Sequence, residues 1–224
     1  MLILALDTAM AACSAAVWRD GAPLAARRQP MARGQAEALV PLMQAVMAEA
    51  GIDDYAALDR IAVTQGPGSF TGLRVGLATA RAVAMAADRP VIGITTTEAL
   101  AAAVPADLRG DRPVLAVIDS KRADLFLQWF GPDVSPLAPP DSAEPEAVRA
   151  RLAEQPAVVV GDAVAMLGDL PAGCIDAGPE LALPDPAVVA ALAAGKPLPD
   201  APPGALYIRP PDATLPVNGG RLRP

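Results

Sequence analysis

The chain has 224 residues, enough for one compact domain or two small lobes with a sizeable core. Hydrophobic residues make up 53% and charged residues 19%, a balance that excludes a disordered chain. There is no histidine, so no Ser/His/Asp triad, Cys/His dyad or His-ligated metal can be built within one chain, and a formal charge of -7 excludes the basic footprint with which proteins bind polyanions unaided.

Leu2 to Asp7 reads as an unbroken apolar strand and Ala11 to Arg19 as a second. Asp20-Gly21 is a tight hairpin signal, and Ala22 to Gln29 returns as a third strand. Gln35 to Glu49 is a helix stopped by Gly51. Arg60 to Gln65 is a fourth strand. The loop Gly66-Pro67-Gly68-Ser69 then opens a second helix over Phe70 to Ala87. Pro90 to Gly93 is a fifth strand and Thr97 to Ala103 a short helix. Three antiparallel strands followed by alternating helix and strand is the order of a ribonuclease H-like lobe. The same order recurs more weakly afterwards: strands at Pro113 to Asp119 and Asp124 to Phe130, a helix at Glu144 to Glu154, a buried strand at Ala157 to Gly161 and a last helix at Asp185 to Ala194. Of 25 prolines, 18 follow residue 130, so regular structure is concentrated early in the chain. The expected fold class is therefore α/β, two ribonuclease H-like lobes of the actin-like ATPase class, 1–108 and 109–224, the second reduced and ending in an extended tail marked by Pro202-Pro203 and Pro210-Pro211.

Cys13 and Cys174 are too few for a disulfide framework and fit free thiols in a reducing cytoplasm. No apolar run reaches the length of a membrane span, and Met1 to Asp7 has no basic leader region, so a cytoplasmic protein without membrane contact is expected.

The most specific segment runs from Gly66 to Ala78. It follows a strand and opens a helix, a geometry able to offer backbone N–H groups to an anion, yet it has neither the Lys-Ser/Thr of a Walker loop nor the glycine spacing of a dinucleotide fingerprint. A tight turn with an N-cap from Ser69 or Thr71 explains it as well. Gly72, Gly76, Ala80 and Ala84 recur every fourth residue. Each helical glycine costs about 1 kcal/mol against alanine, so the stripe implies a compensating close approach, by the Gln35–Glu49 helix or by another chain. On the Gln35–Glu49 helix, Leu39, Leu42, Met43, Val46 and Ala50 form a core stripe, which Ala36, Val40 and Met47 widen past one seam. Asp7 and Asp119 end the first strand of each lobe. They read either as the two acids of a vestigial nucleotide cleft or as strand-end caps of turns.

Leu4-Ala5-Leu6-Asp7-Thr8 together with Gly66-Pro67-Gly68-Ser69-Phe70-Thr71-Gly72-Leu73-Arg74 resembles the TsaB (YeaZ) family of bacterial tRNA threonylcarbamoyladenosine biosynthesis proteins. Gly34-Gln35-Ala36-Glu37, Asp119 to Asp124 and Tyr207-Ile208-Arg209 add to the resemblance. It implies a non-catalytic paralogue of the TsaD-like catalytic subunit. Such a protein dimerises with TsaD, works with a TsaE-like ATPase, forms a homodimer when alone, and meets tRNA only through the complex that modifies adenosine 37 of tRNAs reading ANN codons. It implies no cofactor beyond weak or vestigial nucleotide binding. The partner's His-x-x-x-His metal motif has no counterpart here, where position 35 is Gln35. Carried over from the family, the partner interface is Gln35, Leu39, Met43, Leu73, Gly76, Leu77 and Ala80, and a charge at Gly76 is expected to abolish pairing. Ser120-Lys121-Arg122 departs from the family's pattern in the second lobe. Without histidine or a Ser/Lys pair, the sequence speaks against a peptidase.

Overall fold

The structure is a computed structural model, and it describes residues 1–209. The first sheet contains β1 (Leu2–Asp7), β2 (Ala12–Arg19), β3 (Ala22–Pro30), β4 (Arg60–Thr64) and β5 (Val91–Ile94), in the order β3-β2-β1-β4-β5. β1 and β2 pair antiparallel across the Asp7↔Ser14 register, and β4 and β5 add in parallel. Asp20 and Gly21 both adopt positive φ, as a two-residue hairpin turn with right-handed strand twist requires.

The second sheet repeats the plan. β6 (Val114–Asp119), β7 (Leu125–Phe130), β8 (Asp141–Ala143), β9 (Val158–Val160) and β10 (Ile175–Asp176) lie in the order β10-β9-β6-β7-β8. The antiparallel and parallel pairings fall at equivalent places in the two sheets. Two ribonuclease H-like lobes side by side give the actin-like ATPase fold class that the order of elements predicts. The reduction of the second copy is visible in β8 and β10, three and two residues long.

Helices cover both faces of the first sheet. α1 (Gln35–Glu49) and α2 (Phe70–Ala87) cover the face carrying Leu4, Leu6, Val17 and Val63. The opposite face carries Ile3, Ala5, Trp18, Ile92 and Ile94 and is covered by α6 (Pro186–Gly195), with Ala99 of α3 (Thr96–Ala103) beside it. This departs from the division at 108/109. α6 belongs to the second half of the chain by sequence and to the first lobe by packing. Its apolar residues go all round, so it has no polar face to keep it outside a core. Side-chain caps start these helices: Ser69, one of the two caps expected for α2, accepts from Gly72 N, and Thr95 accepts from Glu98 N and Asp185 from Ala187 N.

α4 (Ala106–Arg109) links the lobes, and α5 (Pro145–Glu154) packs Val148 and Leu152 on the outer face of the second sheet. The inner face of that sheet, with Val114, Ala116, Ile118 and Phe130, closes on Leu100 and Ala101 of α3 and on Leu73 of α2. Within this interlobe core Thr97 donates to Gln128 Oε1, and Gln128 Nε2 donates to the Ala138 carbonyl at 3.0 Å. Among the described residues no helix is long and apolar enough to cross a membrane.

Candidate functional site

The Gly66–Ala78 segment is built by what lies against it. Thr8 and Ala9, in the turn after β1, press onto the start of α2. Ser69 N donates to the Ala9 carbonyl at 2.7 Å, and Thr8 Oγ1 donates to the Gly72 carbonyl at 2.7 Å. A side chain at Gly68 or Gly72 would collide with the Ala9 or Thr8 carbonyl, and a Cβ at Gly76 would come within 2.6 Å of Thr8 Oγ1. Ser69 N, Gly72 N and Leu73 N are all engaged inside the chain. The small-residue stripe of α2 is thus the seat of the β1–β2 turn and of β4, and three of the N–H groups at the start of the helix are already used within the chain.

This corrects the expected interface. Leu39, Met43, Leu77 and Ala80 lie in the first core and Leu73 in the interlobe core, all fully or almost fully buried. Gly76 is buried against Thr8, and half-buried Gln35 donates from Nε2 to the Met31 carbonyl at 3.2 Å. A charge at Gly76 would break the lobe and say nothing about pairing. The outward surface of the same two helices carries different residues. On α1 they are Ala36, Val40 (43% exposed), Pro41 and Gln44; on α2 they are Thr71, Arg74, Ala78, Arg81, Ala82 and Met85 (84% exposed). The widening of the α1 stripe by Ala36 and Val40 was the sequence signal for this face. Met47, which widened it equally, is buried. On α2 the outward alanines are drowned in a helix where alanine is everywhere.

The end of the described chain joins this surface. Arg81 donates to the Pro203 carbonyl at 2.6 Å and Leu206 N to the Gln65 carbonyl at 2.7 Å. Arg74 Nε donates to the Tyr207 hydroxyl at 3.2 Å. Arg74 also stacks 3.7 Å from the centroid of Phe70, whose ring lies 5.4 Å from that of Tyr207. Gly66 has φ of 112°, and a Cβ there would lie 2.7 Å from the Leu206 carbonyl. The tail up to Arg209 is therefore extended, as the prolines suggest, and fixed to α2; Pro210-Pro211 lie outside the described residues.

Asp7 and Asp119 both cap turns. Asp7 Oδ1 accepts from Ala9 N at 3.0 Å and from Thr64 Oγ1 at 2.6 Å, and Asp119 Oδ1 accepts from Lys121 N at 2.6 Å. Asp7 is fully enclosed. Burial pushes its carboxyl up to about 6, against the opposing pull of Thr64, the Ala9 N–H and the charge of Arg28. Burial also pushes Asp119 up, but the hydrogen bonds and charge of Lys121 outweigh it and hold the group below the usual carboxylate range. Lys121 Nζ lies 2.8 Å from Asp119 Oδ2, so this acid already has its cation. Among the described residues no group of three His, Cys, Asp or Glu side chains could hold a metal ion.

Residues 29–135 match the profile of the TsaD family, the tRNA N6-adenosine threonylcarbamoyltransferases. An uncharacterized protein of Mycobacterium tuberculosis is 34% identical over 94% of this chain and 93% of its own length. The tRNA threonylcarbamoyladenosine biosynthesis protein TsaB of Escherichia coli is 34% identical over 56% of this chain and 53% of its own length. A crystal structure from Pseudomonas aeruginosa, of a protein with similarity to the peptidase YeaZ, superposes with a TM-score of 0.78 at 26% identity, covering 93% of this chain and 99% of that one. The chain belongs to the TsaB (YeaZ) family. A second Pseudomonas aeruginosa YeaZ structure agrees, with a TM-score of 0.73 at 27% identity. The match to the Escherichia coli TsaB spans only about half the length of that relative. The exposed α1–α2 face described above lies within the part shared with the transferase family.

Proposed function

We propose that this TsaB-family chain takes part in threonylcarbamoyladenosine formation on tRNA as a non-catalytic subunit that docks a TsaD-like transferase. Docking uses the outward faces of α1 and α2. The reading is carried by one observation: the transferase profile spans 29–135, so this chain and the transferase share the segment bearing both helices. Two related chains can then pair through equivalent faces about a pseudo-two-fold axis, each face meeting its own likeness. Ala78 and Ala82 leave α2 room for a close helix crossing, and Val40 and Met85 supply apolar area at its flanks. The same face serves a homodimer when the transferase is absent, and a TsaE-like ATPase and the tRNA join the pair and not the single chain. The absence of histidine and the net charge of -7 are in keeping with chemistry and tRNA contact residing in the partner. No nucleotide or metal takes part in this role. The alternative, a nucleotide enzyme using the interlobe cleft, has less support, because Asp7 is enclosed and Asp119 is paired with Lys121.

The test is binding of the purified transferase by Ala82→Arg and Val40→Glu variants in isothermal calorimetry, with thermal denaturation alongside. Both variants should bind at least tenfold more weakly while melting within a few degrees of the parent. Unchanged affinity in both would overturn the reading.

A further inference from the structure

Resting on that docking reading, we propose that the segment Pro203–Arg209 belongs to the docking face, where it holds Tyr207 against Phe70 and Arg74 as an aromatic–cation patch that receives an acidic side chain of the partner subunit. Phe70 is 52% exposed and Tyr207 45%, and these two rings, the most exposed aromatics among the described residues, lie side by side. Large rings on a surface this poor in aromatics need an explanation, and Tyr, Phe and Arg together are the residue types that carry binding energy in protein interfaces.

The patch is constructed and held in place. Leu206 bonds to Gln65, Ala205 packs on the first core, and Arg209 pairs with Asp124 and lies over the Phe126 ring of the second lobe. Gly66 and Gly93 are both kept free of side chains where the segment passes. A Cβ at either would come within 2.7 Å of it, meeting the Leu206 carbonyl or the Pro203 ring. So the first glycine of the Gly66–Arg74 motif and its closing arginine both serve the chain's own tail. Tyr207 is thereby fixed before any partner arrives, which lowers the entropy cost of binding.

The sign of the partner follows from charge. α2 carries Arg74 and Arg81 and no acid from Phe70 to Ala87. Only Nε of Arg74 is hydrogen-bonded among the described residues, leaving its terminal nitrogens to grip a carboxylate as a fork. Stacking on Phe70 orients that fork and makes lysine a poor substitute.

The experiment measures affinity of the full chain for the transferase in Tyr207→Ala, Arg74→Ala, the double variant and Ala82→Arg, at low and moderate salt. Tyr207→Ala and Arg74→Ala should each weaken binding about tenfold with little change in melting temperature, the double variant should lose less than the product of the two, and Arg74→Ala should flatten the salt dependence. If both bind like the parent while Ala82→Arg does not, the tail has no part in docking and the helix-face reading stands alone. If Ala82→Arg also binds normally, both fall. Binding of tRNA by the isolated chain that is lost in Tyr207→Ala, with transferase affinity unchanged, would make the patch an RNA platform and overturn the assignment. Loss of self-association alone would assign it to a second copy and overturn it equally.

Discussion

Asp7→Asn should make the protein more stable at neutral pH. Asp7 lies at the end of β1 with no exposed surface; its Oδ1 has two donors, and its Oδ2 has no partner among the described residues. Burial raises its carboxyl from 3.8 to about 6. Because the folded-state value lies above the unfolded one, the native state holds the proton more tightly. Well below pH 4 both states are protonated and no ionisation penalty is present. Between 4 and 6 the unfolded chain ionises first, and stability falls as pH rises. Above about 6 the whole penalty is present, about 3 kcal/mol for a difference of roughly two pH units. Asparagine keeps the acceptor for Thr64 and Ala9 and removes the charge. Its amide would sit on the face that also carries the unpartnered hydroxyl of Ser14, opposite Asp7 in β2. Urea denaturation of parent and variant at steps from pH 4.5 to 8 isolates this one group, since other titrations cancel in the difference. The variant should gain up to about 3 kcal/mol by pH 7.5 and only about 1 kcal/mol at pH 4.5. A variant less stable than the parent at pH 7.5, or a difference that does not change with pH, refutes the reasoning and means that the negative charge is wanted where it is.

Gly72→Ala should lower stability by about 3 kcal/mol or more, read as a fall in melting temperature, because the added methyl meets a backbone carbonyl that cannot move without displacing the β1–β2 turn. Asp88→Gly should raise it by about 1 kcal/mol, because Asp88 ends α2 in the left-handed conformation (φ 54°) with a carboxylate at the negative end of the helix; a loss of stability there would show an unrecognised role for the acid.

Much of this was legible because local signals agreed with the final packing. Asp20-Gly21 fixed its hairpin, and Gly51 and Ser69 marked the bounds of α1 and α2 to the residue. β8 and β10 were missed because two or three residues have no periodicity to read. The position of α6 was missed for another reason. A helix apolar on every side announces burial without saying where. The site was half legible. The bounds of the two helices were right, but the residues expected to meet a partner were those with the strongest core pattern, and a strong core pattern is what a sheet also demands. Leu39 on α1, which packs on β2, and Leu77 on α2, which packs on β4, answered to the sheet, leaving alanines, Val40 and Met85 outside. The contribution of Tyr207 could not be read from spacing, since it reaches Arg74 from 133 residues away.

The return of α6 to the first sheet also sets a timetable for the nascent chain. All five strands of that sheet have been synthesised by Ile94, yet Ile3, Ala5, Trp18 and Ile92 wait for Val189, Ala190 and Ala193 to roof them. At ribosomal speeds that interval lasts roughly 5 to 20 seconds. Throughout it one side of an almost finished sheet is bare and adhesive, so the emerging polypeptide needs shelter from its neighbours until α6 has been made.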